Sequence, residues 1–258
     1  MIKLVISEFR KLKRYSVVIA GIVMMTLSSL MAIVYTTATD GTVWTYPKFL
    51  DAILVKNCTM FFPATIALIA GYLITRESSD DTLKNLLTVP ISYRRLIAGK
   101  LIALLLLTVL FSLESALLGS LLSTLLGLPG MTALTLLEWT GRIIAANVLI
   151  YIATMPIIIL TGCSENMFLA GVAIAFIYGF LGSFEGNLLN FYPIKACLIL
   201  TDPTCGEGYE YVYTPGTSLL VLGGVLIVSM LLLACKSAPH AAPQKGAKSK
   251  KSAPVKGW

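Results

Sequence analysis

Unbroken runs of 18 or more apolar residues recur through this chain, and no other feature constrains its fold as strongly. Each run can cross a hydrocarbon core of about 30 Å as a helix, and each is continuous rather than alternating, which argues against a β-barrel. The runs predict six transmembrane helices, at about 15–38, 58–75, 96–128, 134–160, 167–184 and 217–235. The fold class expected is an all-α polytopic membrane protein, with the six-helix domain over 15–235. The third and fourth runs exceed what a span needs, so those helices are expected to tilt or project beyond the bilayer. The first is too long for the apolar part of a secretory signal and is read as a retained anchor. Composition agrees: 57% of the 258 residues are hydrophobic and 13% charged, where a soluble domain carries about 25% charged residues.

The net charge of +7 follows topology and is not a nucleic-acid footprint. With the N-terminus in the cytoplasm, the inner segments hold 16 of the 20 basic residues. Five precede the first span, five lie around 76–100 (Arg76, Lys84, Arg94, Arg95, Lys100), and six lie in the tail. The outer segments hold Lys48, Lys56 and Lys195, and Arg142 falls within the fourth span. Because Lys and Arg accumulate on the cytoplasmic side, both termini are predicted to be cytoplasmic.

Four segments between or beyond the spans carry information. Residues 1–14 read as an amphipathic helix, with Ile2, Val5, Phe9 and Leu12 at helical spacing. It is expected to lie in the inner interface with its cations near anionic headgroups, the alternative being an ordinary positive flank of the first span. The insert 76–100 opens with helix-start chemistry: Ser78 or Ser79 can cap, and Asp80 and Asp81 oppose the positive helix end. Pro90 stops it, so a short helix at about 78–90 is expected to present Leu83, Leu86 and Leu87 either to a soluble partner or to the membrane surface. The outer segment 185–216 mixes the apolar patch 196–200 with tyrosines and predicts a re-entrant or surface helix. The tail 236–258 is rich in Ala, Pro, Lys, Ser and Gly and is expected to be a disordered basic tail.

Residues that could carry chemistry are few. No glycine-rich loop ends in Gly-Lys-Ser or Gly-Lys-Thr, so no P-loop nucleotide site is expected, and no Cys/His set has metal spacing. No catalytic, cofactor or metal residue is assigned, and energy for vectorial work must come from a partner or an ion gradient. Glu114 lies deep in the third span beside a small-residue face of Ser115, Gly119 and Ser123. It is a candidate for helix pairing or for a pathway carrying a cation. Glu138 and Arg142, four apart near the outer start of the fourth span, can pair on one face. Cys197 and Cys205 share an outer segment and could bridge or remain as two thiols.

The segment Asp81-Thr-Leu-Lys-Asn-Leu-Leu-Thr-Val-Pro-Ile-Ser-Tyr-Arg-Arg-Leu-Ile-Ala-Gly-Lys100 resembles the permease subunits of ABC-2 type ABC transporters. Glu77, Thr82, Leu86, Leu87, Pro90, Ser92, Arg94, Gly99 and Lys100 match the family's pattern, and Asp81 stands where glycine is common. The resemblance implies that 78–90 is a coupling helix inserting into a separate ATPase subunit, with Glu77, Asp81, Thr82, Leu83, Leu86, Leu87 and Pro90 as coupling residues. ATP and magnesium would then belong to that partner, and no cofactor to this chain. It also implies a second permease chain, identical or not, and an outer segment similar to the family's gating helices. In size and style the chain is similar to bacitracin or lantibiotic immunity permeases. The resemblance thus implies a multi-pass protein of the bacterial cytoplasmic membrane that exports an amphipathic peptide or lipid-like substrate. Two other functions remain open at the level of sequence: an ion-coupled transporter using Glu114, and a membrane scaffold or sensor that recruits a cytoplasmic partner.

Overall fold

The computed structural model describes residues 2–12, 16–37, 41–79, 93–161, 167–202, 204–206 and 212–235. Among them there is no strand, and every element is helical. Helix α1 (Ile2–Leu12) precedes α2 (Ser16–Thr36). A long helix follows in two parts, α3 (Tyr46–Lys56) and α4 (Phe62–Ser79), joined by a single π turn at Asn57–Phe61. Then come α5 (Tyr93–Leu125), α6 (Ala133–Thr161), α7 (Phe168–Leu181), a short 3-10 turn at Asn187–Phe191, α8 (Pro193–Thr201) and α9 (Pro215–Cys235).

Among the described residues, five helices are long and apolar enough to cross a membrane: Ser16–Thr36, Tyr46–Thr75, Arg94–Leu125, Ala133–Thr161 and Pro215–Cys235. The protein is thus polytopic and helical. The remaining apolar helix, α7, has 14 residues, about 21 Å at 1.5 Å per residue. That is shorter than the run 167–184 suggested and shorter than the core it would cross.

The second span begins earlier than sequence placed it, at Tyr46 rather than at 58. Thr45 has extended backbone and Pro47 sits in the first turn, where its missing N–H is no loss, so a helix starts there. Lys48 and Lys56, assigned to an outer segment from sequence, lie in this helix, and each has an aromatic partner. Lys48 Nζ lies 5.8 Å from the Trp44 ring centroid and Lys56 Nζ lies 4.6 Å from that of Tyr35.

The core is one apolar cluster running through α3, α4, α5 and α6, with Tyr46, Phe49, Phe62, Ile66, Phe111 and Ile150 all buried. Helix α4 packs against α2, α5, α6 and α7. Its approach to α7 is close: a Cβ on Gly71 would collide with Phe168, and one on Gly179 would lie 2.8 Å from the Thr59 carbonyl and from Pro63. Gly119, on the small-residue face of α5, gives the same access to Leu50 and Ile53 of α3. Helix α9 is peripheral, with 17% of its most apolar stretch buried inside the fold.

Candidate functional site

The polar side chains of this apolar bundle collect at three levels. At one end, α1 lies against α5. Its helical spacing puts Val5, Glu8 and Phe9 on one face, and Val5 and Phe9 pack on the core while Glu8 is buried. Lys100, on the second turn of α5, is buried as well. Lys100 Nζ sits 3.2 Å from Glu8 Oε2 and donates to the Leu73 carbonyl of α4 at 2.8 Å. Lys11 Nζ pairs with Glu8 Oε1 at 2.7 Å. A buried charge is tolerable only when paired and hydrogen-bonded, and this arrangement ties α1, α4 and α5 together through one ammonium.

The middle level is built on the π turn. Ser28 Oγ of α2 donates to Asn57 Oδ1 at 2.6 Å, and Asn57 Nδ2 donates to Ser115 Oγ of α5 at 2.9 Å. One amide at the irregular turn therefore joins three helices, where apolar packing alone would leave their register loose. Asn147 Nδ2 of α6 donates to Ser112 Oγ at 3.0 Å, while its buried Oδ1 has no hydrogen-bond partner among the described residues. Glu114 is half-buried. Thr26 Oγ1 donates to its Oε1 at 3.4 Å, and its buried Oε2 has no hydrogen-bond partner among the described residues. Glu114 thus faces α2.

At the opposite end the chain folds a cap. Arg142 donates to Glu138 Oε1 through Nη2 at 2.8 Å and Nε at 3.1 Å, and through Nη1 to the Thr201 carbonyl at 3.1 Å. Besides the ion pair expected from spacing, Arg142 therefore satisfies an end carbonyl of α8. Thr204 Oγ1 lies 2.9 Å from Asp202 Oδ1 and 3.2 Å from Asp51 Oδ2. Lys195 is buried and pairs with Glu185 Oε1 at 2.5 Å, and Tyr213 donates its hydroxyl to the other oxygen of Glu185. Burial, then that bond, push the Tyr213 hydroxyl up to about 12. Burial raises the thiols of Cys197 and Cys205, the latter to about 11, with Lys195 pulling the other way at Cys205. Both thiols are free here, and Cys197 Sγ donates to the Pro193 carbonyl at 3.2 Å.

The expected coupling residues fall largely elsewhere. Glu77 lies in the last turn of α4. Asp81, Thr82, Leu83, Leu86, Leu87 and Pro90, with residues 80–90 of the expected coupling helix, lie outside the described residues, as does the tail from 236; Ser78 and Ser79, expected to cap that helix, are instead the last residues of α4. Glu114, at the middle level, and the Glu138–Arg142 pair, at one end, do not form one site. Sequence reasoning missed Glu8, Asn57, Asn147, Asp51 and Asp202. Glu8 could have been found as the one acid among the cations of α1, and Asn57 as an amide inside an apolar run. Among the described residues no group of His, Cys, Asp and Glu could hold a metal ion.

Residues 4–182 match a family described as ABC-2 family transporter protein. A stretch of 99 residues is 35% identical to the bacitracin transport permease protein BCRB of Bacillus licheniformis. That stretch is 38% of this chain and spans 47% of the relative's length.

Proposed function

This chain belongs to the ABC-2 family of transporter proteins, and from that premise we propose that it is the permease subunit of a bacterial exporter driven by a separate ATPase. It is a multi-pass membrane protein of a transport family, and its sequence carries no glycine-rich loop ending in Gly-Lys-Ser or Gly-Lys-Thr. The cargo assigned is an amphipathic peptide antibiotic of the bacitracin or lantibiotic kind, a choice supported by the similarity to a bacitracin permease. In the working unit two permease chains sit on two ATPases, which hold the ATP and magnesium. Both termini face the cytoplasm, with α7 and its flanking turns supplying a sixth crossing.

The observation that carries the mechanism is the Lys100 clamp. Segment 80–92 joins α4 to α5, and one buried ammonium fastens those two stems to each other and to α1. A displacement of the 78–90 coupling helix by the ATPases would therefore move three helices as one body. Without the clamp, part of the stroke would go into splaying the stems.

Leu86→Asp together with Leu87→Asp should abolish co-purification with the ATPase and bacitracin tolerance, while leaving membrane insertion intact. Survival of the complex would refute the coupling role. A second function is favoured by the unpartnered Glu114 Oε2, which suits ion coupling. Under the exporter mechanism Glu114→Gln keeps ATP-driven tolerance, and a loss of transport restricted to that variant would favour the ion-driven one.

A further inference from the structure

A cavity of about 350 Å³ opens between α5, α6 and α9, bounded along its length by Ala98, Leu105, Val148, Ile159, Leu226 and Leu233. It sits beside the first turns of α5 and the last turns of α6 and α9, so it belongs to one end of the bundle. Along α6 it runs from Val148 to Ile159, about 16 Å at 1.5 Å per residue, or roughly half of a 30 Å hydrocarbon core. Its depth is that of a single leaflet.

The wall offers hydrocarbon alone. The two lining residues with hydroxyls spend them inside the fold: Tyr151 donates to the Leu101 carbonyl at 2.7 Å, and Ser229 donates to the Val225 carbonyl of its own helix at 2.7 Å. A polar ligand would be stripped of water with nothing to replace it, whereas an alkyl chain would lose nothing. A cation lies close to one end of the slot. Arg95 is exposed, and Arg95, Ala98, Ile102 and Leu105 follow at steps of three, four and three, so they form one stripe along α5. That register puts the cation about one turn of α5 beyond Ala98, past the end of the slot that lies toward the helix start.

We propose that this slot binds one acyl chain of an anionic phospholipid, whose phosphate is held by Arg95. A long apolar groove a leaflet deep with a guanidinium at its headgroup end matches that molecule in both charge and shape. The assignment rests on the chain's spanning a membrane and not on the exporter mechanism, so a failure of bacitracin export leaves it standing.

The test is native mass spectrometry of the purified full chain, delipidated and titrated with phosphatidylglycerol or phosphatidylcholine. Phosphatidylglycerol should bind more tightly. Arg95→Gln should weaken phosphatidylglycerol roughly fivefold and leave phosphatidylcholine unchanged, and Arg95→Lys should recover most of the loss. Ala98→Phe, which narrows the slot, should lower both lipids; Leu226→Trp, on the 36% exposed rim, does the same should the first variant not fold. Equal binding of the two lipids, or an Arg95→Gln protein with undiminished phosphatidylglycerol affinity, overturns the charge assignment. Blocking variants that keep full lipid binding overturn the slot. If they instead break a pairing between two copies of the chain, the groove is a protein interface and the proposal is wrong.

Discussion

Removing one partner of the Glu8–Lys100 pair should destabilise the bundle more than removing both would suggest. The two side chains are 1% and 2% exposed and their charged atoms lie 3.2 Å apart. At an effective dielectric of about 20, that separation gives an attraction of about 5 kcal/mol. Stripping each ion of water costs several kcal/mol, so the net contribution of the intact pair is close to nothing. Lys100→Met leaves Glu8 buried beside Lys11, whose side chain is 37% exposed and 2.7 Å away. Because Lys11 still offsets part of the stranded charge, the loss should be about 3 kcal/mol, the low end for breaking a buried pair. Glu8→Gln keeps Lys100 on the Leu73 carbonyl, 2.8 Å away, and should lose about 2 kcal/mol. The double variant strands no charge and should also lose about 2 kcal/mol, about 3 kcal/mol short of additivity. Unfolding in mixed dodecylmaltoside and dodecyl sulfate micelles, followed by circular dichroism, measures all three. A Lys100→Met loss below about 1 kcal/mol would mean a hydrated lysine, and additive singles would mean that the two residues do not interact.

Three further outcomes use the same preparations. Asn57→Leu removes the bonds to Ser28 and Ser115 and should lose about 1–3 kcal/mol in the micelle titration, at roughly 0.6–1.7 kcal/mol per intramembrane bond; no loss would discount the π-turn link. Gly179→Ala places a Cβ 2.8 Å from the Thr59 carbonyl, and the resulting overpacking, about 1–3 kcal/mol, should outweigh the roughly 1 kcal/mol that alanine adds to a helix. A more stable variant would refute the close α4–α7 approach. Cys205, with its thiol up from 9.0 to about 11, should hold about a hundredfold less thiolate at neutral pH than an ordinary cysteine. Its maleimide labelling, read against Cys205→Ser, should climb about tenfold per pH unit between pH 8 and 10, and a plateau below pH 9 would contradict the burial that causes the shift.

What sequence could reveal followed from how local the physics is. The spans at 96–128 and 134–160 lie within a few residues of α5 and α6, because a continuous apolar run is itself the cause of a membrane helix. The apolar patch 196–200 likewise ends up in the buried helix α8, and α1 forms over Ile2–Leu12 with Val5 and Phe9 turned to the core. Charges misled where their partners are remote. Asp51 went unread because Thr204, which bonds it, stands 153 residues away, and Glu8 because Lys100 is 92 residues off. Helical periodicity reports which face is apolar. It says nothing of which distant cation will neutralise an acid on that face.

The three polar levels also divide the bundle mechanically. Helices α1, α2, α4, α5 and α6 are joined by bonds through Glu8, Asn57, Lys100 and Asn147, and Tyr151 fastens α6 again to the α5 backbone. Such bonds are directional and fix rotation as well as distance. The hydroxyls of Ser218 and Ser229 on α9 donate to carbonyls at or within their own helix, so α9 rests on α6 and α8 through apolar contact. Dispersion contacts are non-directional and re-form after a small slide, so relative movement costs least at the α6–α9 seam. The apolar slot opens along that seam. A lipid chain seated there would be gripped by the jointed body on one side and by the sliding helix on the other, which makes its occupancy sensitive to whatever stroke the clamped stems deliver.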